Sequence, residues 1–278
     1  MYMALSPGAL GIKTDTLRDA IRVAAEAGYS GVEVNIQEIT TLLEQHGDGF
    51  VKRLFDDAGV RPAGWGLPVQ WNGSEDEWRK GLDQLEIYAK AAQTIGCRRT
   101  MTWILSGSND RDFEENRRFH IERFKPIADV LGAHGCRLGL EFLGPKTIRD
   151  NFRYPFIYRM LDMLDLAEEI GPNVGLLLDC WHWYTSGGTL EELGKLTNEG
   201  VVYVHVNDAP RGVPLEKHVD NKRSLPGATG VIDLVGFLRA LKDIGYDGPV
   251  VPEPFGNPAV WTAHLLEGLF ERAGVTPE

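Results

Sequence analysis

The stretch Val174-Gly-Leu-Leu-Leu-Asp179-Cys-Trp-His182-Trp183 sets an acid at the end of an apolar run and a histidine three positions later. A strand that is apolar along its whole length is covered on both faces, as in a parallel sheet wrapped by helices. An ionised carboxylate at the end of such a strand is costly unless a partner compensates its charge. The same grammar recurs elsewhere in the chain. Arg137-Leu-Gly-Leu-Glu141-Phe142, Val201-Val-Tyr-Val-His205-Val206 and Pro249-Val-Val-Pro-Glu253 each run apolar into a side chain able to bind a metal.

Working outward from these strands, the chain alternates between strand-like and helix-like segments. Tyr2–Leu10 (a strand with its loop), Gly31–Asn35, Val60–Leu67 and Arg99–Leu105 read as four earlier strands. Between them lie helical patterns at Thr16–Ala27, about Glu38 to Ala58, Glu75–Ile95 and Phe113–Ala133. In the first of these Leu17, Ile21, Val23 and Ala24 recur at helical spacing, and Ser74-Glu-Asp-Glu77 is a capping box for the third. The later helices are expected at Tyr158–Glu169, Thr189–Leu196, Ile232–Ile244 and Trp261–Ala273. Eight strand–helix pairs at steps of about 35 residues, with no linker between them, predict an α/β fold. It is a single (β/α)8 TIM barrel in one domain spanning residues 1–278. The rival, an open doubly wound sheet, lacks a GxGxxG turn after the first strand. Pro252 has no ladder donor, so it belongs to the last residues of its strand.

Composition narrows the function. The 278 residues are 43% hydrophobic and 25% charged, with 40 acids against 29 bases and a formal charge of −11. That balance disfavours a nucleic-acid partner, which needs lysines and arginines to displace counterions. Cys97, Cys136 and Cys180 form neither a disulfide framework nor a CxxC zinc pattern. With no leader pattern and no membrane-spanning run, the expectation is a soluble cytoplasmic protein without a membrane partner; a homo-oligomer stays open.

In a barrel the C-terminal strand ends meet on one face, where residues read as catalytic. Glu141, Asp179, His205 and Glu253 stand at four such ends. Any one of them alone would ordinarily cap a helix, accept loop hydrogen bonds or sit satisfied in the core. Together, three carboxylates would repel strongly without a cation between them. Oxygen-rich with one imidazole, the set suits a divalent metal, Mn²⁺ first, with Mg²⁺ or Co²⁺ also suited and zinc less so. Such a cation stabilises the enediolate formed when the proton beside a carbonyl leaves. Glu141 and Glu253, on different strands, would then serve as the catalytic base and acid.

These motifs carry a resemblance. Leu140-Glu141, Leu178-Asp179-Cys-Trp-His182, Val204-His205-Val-Asn-Asp208, Leu225-Pro-Gly-Ala-Thr-Gly-Val-Ile-Asp233 and Val251-Pro-Glu253-Pro-Phe255 resemble the signature of the xylose isomerase-like barrels, nearest to the ketose 3-epimerase pattern. The resemblance implies that Glu141, Asp179, His205 and Glu253 hold the metal. It also implies that His182, three residues after the metal Asp, and Arg211, six after the metal His, bind substrate oxygens. The expected activity is isomerisation or epimerisation of a small carbohydrate, a keto-sugar or related polyol. A metal-dependent dehydratase or decarboxylase of an oxo-sugar acid is the alternative, and an endonuclease IV-like nuclease is disfavoured by 7 histidines and an acidic surface.

Further residues complete the expectation. Lys146 is a candidate anchor for substrate, and Trp103, with Trp65, a candidate stacking surface for a sugar. Glu33 would bind a sugar hydroxyl or accept backbone donors, and Asp208 would orient His205 or Arg211. The segment from Pro210 to Gly230 is long enough to serve as a lid. Trp181 and Trp183 are expected to select the sugar.

Overall fold

The apolar runs form strands, mostly shorter than the segments read from sequence: β1 (Tyr2–Leu5), β2 (Gly31–Glu33), β3 (Arg61–Gly66), β4 (Arg99–Ile104), β5 (Arg137–Phe142), β6 (Val174–Asp179), β7 (Val201–Val206) and β8 (Pro249–Pro252). Neighbours in sequence pair in parallel, and β1 closes on β8 through Tyr2 with Pro249 and Met3 with Val250. The computed structural model describes residues 1–255 and 261–277, and its architecture is a closed (β/α)8 barrel.

Apolar side chains divide between two regions. Most pack between the strands and the surrounding helices. A smaller set, Tyr2, Ala4, Ala63, Met101, Leu177, Tyr203 and Val251, forms a separate cluster that fills the barrel. Side chains along a strand alternate faces, so the residue two positions beyond an interior residue returns to the same face. Leu177, Tyr203 and Val251 are thus followed, one level higher, by Asp179, His205 and Glu253. The interior is tight: a Cβ on Gly64 would stand 2.6 Å from the Tyr203 ring and 3.1 Å from the Met101 methyl. That contact explains the glycine in β3.

Two local departures from the expected elements have clear causes. The helix after β2 is two helices, Ile36–His46 and Asp48–Asp56, because Gly47 adopts a φ of 77° between them. After β6 a helix starts at once, over Cys180–Thr185, since Asp179 itself caps it by accepting from Trp181 N–H at 2.8 Å. A shorter helix, Leu190–Leu193, then takes the place of the expected Thr189–Leu196. Beyond the barrel, Gly107–Ser108 pairs antiparallel with Tyr154–Pro155 and ties the loops after β4 and β5 together. Pro252 is the last residue of β8, and the ladder resumes past it with Glu253 N–H donating to Val206 O at 2.9 Å.

Candidate metal centre

Register brings the strand ends to one level. Asp179 on β6 lies opposite His205 on β7, and His205 lies opposite Val251 on β8, two residues before Glu253. Glu141, Asp179, His205 and Glu253 each offer a ligand atom, and these atoms all lie within 4.8 Å of one another. Cys180 stays outside, its Sγ turned to the Asn207 carbonyl at 3.2 Å.

Hydrogen bonds orient the cluster from behind. Asp179 Oδ1 accepts from Trp181 N–H and from the Asn207 amide at 3.2 Å, leaving Oδ2 facing inward. His205 Nδ1 stands 3.1 Å from Glu253 Oε2 and 3.6 Å from Glu141 Oε1. Gly144 N–H donates to His182 Nδ1 at 3.2 Å, which leaves Nε2 as the nitrogen facing the acids, 3.8 Å from Asp179 and 4.0 Å from Glu141. Gly144 has no room for a side chain, because a Cβ there would collide with the His182 carbonyl.

The two glutamates sit in opposed electrostatic environments. Burial pushes the Glu141 carboxyl up, against the pull of His205 and His182. Burial also works to raise Glu253, but His205 and the Arg223 guanidinium overcome it and hold that group at about 2. Burial alone would lower His205, yet the neighbouring Glu253 and Glu141 push it well above its usual range.

Arg223 is the residue that sequence reasoning missed. It reaches in from the loop after β7, and its buried Nη1 donates to Asp179 Oδ2 at 2.6 Å and to Glu253 Oε2 at 2.8 Å. Nη2 donates to Asp220 Oδ1 at 2.8 Å, and the guanidinium lies near the rings of Phe255 (4.7 Å) and Trp181 (5.5 Å). Arg211, expected to bind substrate oxygens beside the metal, does not join the cluster: its guanidinium is engaged by the Thr229 carbonyl on the exposed side of the same loop. Lys146 likewise turns away and pairs with Asp150 one helical turn on. His182 is at the cluster. Trp103, paired in register with Glu141, is 43% exposed at the barrel rim, edge-on to Trp71.

The other expectations resolve in structural terms. Trp65 is buried and donates to the Cys97 carbonyl. Trp181 and Trp183 are buried, the first edge-on to His218 of the 210–230 loop and the second against Phe237, so neither is exposed to select a sugar. Asp208 orients neither His205 nor Arg211. Its carboxylate accepts from the N–H groups of Ala209, Thr229, Gly230 and Ile232, and its backbone pairs with Ser224, closing the loop at its base. Glu33, at the end of β2, accepts from the Tyr203 hydroxyl at 2.9 Å. It also borders a cavity of about 510 Å³ shared with Ser6, Thr14, Asn35 and Gly66.

The donor set fits a divalent cation. Glu141 Oε1 and both ring nitrogens of His205 are buried and make no hydrogen bond among the described residues, an arrangement that polar groups rarely keep without a ligand. Among the described residues no helix is long and apolar enough to cross a membrane.

Comparison with known proteins agrees with this architecture. A xylose isomerase domain protein from Alicyclobacillus acidocaldarius superposes with a TM-score of 0.87 at 33% identity, covering 99% of both chains. An inosose isomerase from Bacillus velezensis is 23% identical over 248 residues, 88% of this chain and 85% of that protein. A 3-dehydroshikimate dehydratase from Pseudomonas aeruginosa is 24% identical over 262 residues, 91% of this chain but 39% of that longer protein. The model of the xylose isomerase-like TIM barrel matches residues 21–271. With that match over a barrel closed in sequence order, the chain belongs to the xylose isomerase-like TIM barrel family.

Proposed function

We propose that the chain is an enzyme, a divalent-metal-dependent isomerase or epimerase of a keto-sugar or related polyol. The observation that carries this reading is the convergence of four ligand atoms from four consecutive strands within 4.8 Å. Glu141, Asp179, His205 and Glu253 would hold the cation, and three carboxylates with one imidazole and no thiolate favour Mn²⁺. When bound, the cation supplies positive charge that stabilises the negative charge developing on substrate oxygens as a proton beside a carbonyl leaves.

The chain's own groups account for the remaining steps. Glu141 and Glu253, on different strands, flank the place of the substrate; one takes the proton and the other returns it at the other face or on the neighbouring carbon. His182 stands beside the acids and would bind substrate oxygens, while the Arg223 guanidinium, its donors taken by Asp179, Glu253, Asp220 and His182, balances the charge of the carboxylates. Trp103 offers an apolar wall at the rim. Similarity to an inosose isomerase supports a carbohydrate substrate and a proton-transfer reaction.

Similarity to a dehydratase favours a second reading, in which the same proton abstraction is followed by loss of water. One experiment separates the two. The protein is incubated with Mn²⁺ in D₂O and a panel of ketoses, inososes and oxo-sugar acids. A product of full mass carrying one deuterium is the expected result, whereas loss of 18 mass units (roughly one water) would assign the lyase reading. No exchange with any divalent cation would refute both.

A further inference from the structure

Glu33 and His205 belong to β2 and β7, which are not neighbours in the barrel, so their approach crosses the lumen. His205 is 93% buried, and its two ring nitrogens face different partners. Nδ1 looks to Glu253 and Glu141, at 3.1 and 3.6 Å, while Nε2 looks to Glu33 Oε1 at 3.9 Å. Glu33 is itself held. The Tyr203 hydroxyl donates to the same Oε1, and Tyr203 lies two residues before His205 on the same strand face. A fully buried tyrosine needs a partner for its hydroxyl. Gly64 leaves the space that the Tyr203 ring fills.

A histidine that binds a metal through one nitrogen ordinarily donates its other N–H to a carboxylate, which sets the tautomer and aims the ring. We propose that Glu33 is the positioning residue for His205. Its carboxylate, held by the Tyr203 hydroxyl, faces Nε2 across the lumen at 3.9 Å, an ion-pair rather than a hydrogen-bonding distance, and favours the proton on that nitrogen, so that Nδ1 alone is presented to the cation. This rests on the metal-dependent reading above. It gives Glu33 a task other than binding a sugar hydroxyl, although the residue also borders the adjoining cavity.

The test uses the full chain, stripped with chelator and titrated with Mn²⁺, following the free-ion electron paramagnetic resonance signal. Glu33→Ala weakens Mn²⁺ binding about 10–100-fold relative to the parent protein. Glu33→Gln, whose amide oxygen still faces Nε2, recovers part of that loss, and Tyr203→Phe gives a smaller one. In ¹⁵N-histidine-labelled protein loaded with Zn²⁺, long-range ¹H–¹⁵N spectra place the proton of His205 on Nε2, and its resonance shifts upfield in Glu33→Ala. Circular dichroism and melting of the metal-free variants separate affinity from folding, and Glu33→Gln keeps the side-chain shape if Glu33→Ala does not fold. Mn²⁺ affinity unchanged in both Glu33 variants, with a rise in KM alone, would overturn the inference and return Glu33 to the substrate. A parent protein that binds no Mn²⁺ would instead overturn the metal-dependent reading on which it rests.

Discussion

Replacing Arg223 with methionine tests the electrostatic logic of the site. The arginine side chain is 1% exposed and bonds Asp179 at 2.6 Å, with Glu253 and Asp220 each at 2.8 Å. Methionine fills similar volume but leaves buried carboxylates without their cation, a loss of about 3–5 kcal/mol. With an unfolding entropy near 2.1 cal/mol/K per residue, that corresponds to a Tm drop of about 5–9 °C for a chain of this length. The drop is expected in chelator. A divalent cation draws on the same oxygens, since Asp179 Oδ1 is already committed to Trp181 N–H and Asn207. Added Mn²⁺ therefore restores the variant more than the parent; at one hundred times Kd it contributes about 2.7 kcal/mol. Differential scanning calorimetry of both proteins, in EDTA and in excess Mn²⁺, reads the effect. An equal Tm gap in the two conditions would show that Arg223 and the cation do not share the carboxylates.

Glu141→Gln lowers deuterium incorporation about 10²–10⁴-fold, the usual reach of general acid–base catalysis, with the far-UV circular dichroism retained. His120, stacked near Phe124 and Phe156, is depressed to about 4 by burial. An unfolded histidine titrates near 6.5, so between these values only the unfolded chain takes the proton. Stability is then complete above about pH 7 and falls as the pH drops toward 4, by about 3 kcal/mol from this group. Urea unfolding of His120→Phe at pH 4.5 and 7 shows a correspondingly shallower dependence. Asp208→Ala removes the acceptor for four backbone N–H groups and costs about 3 kcal/mol. Limited proteolysis cuts first within residues 210–230 of that variant.

The barrel was legible because its evidence is local. Apolar strands, helical spacing and the Ser74–Glu77 capping box each report on a few consecutive residues, and their repetition sets the topology. The four strand-end residues could be picked out for a related reason: parallel strands in register bring corresponding ends to one level. Arg223 follows no such rule. It lies 18 residues beyond His205 in a loop without repeat, and spacing does not say which of Arg211, Lys217, Lys222 or Arg223 turns inward. An arginine directly before Ser224-Leu225-Pro226-Gly227, three residues after Asp220, was the available signal. Trp181 and Trp183 misled because aromatic residues beside a site look exposed in sequence, whereas the helix that Asp179 caps immediately turns both rings into the packing. Glu33 was ambiguous because its partner Tyr203 lies 170 residues away and across the lumen.

Asp208 has a consequence for how this protein can change. Because one carboxylate gathers the chain on both sides of the 210–230 segment, the barrel meets that segment as a single closed junction. Lengthening a loop costs little once its ends are joined, about 0.6 kcal/mol per doubling. The segment is therefore a replaceable cassette. Residues 212–217 can be rewritten, shortened or extended while Asp220 continues to hold Arg223 and the strand ends keep their places, so this rim of the barrel is open to change without disturbing the four-residue cluster.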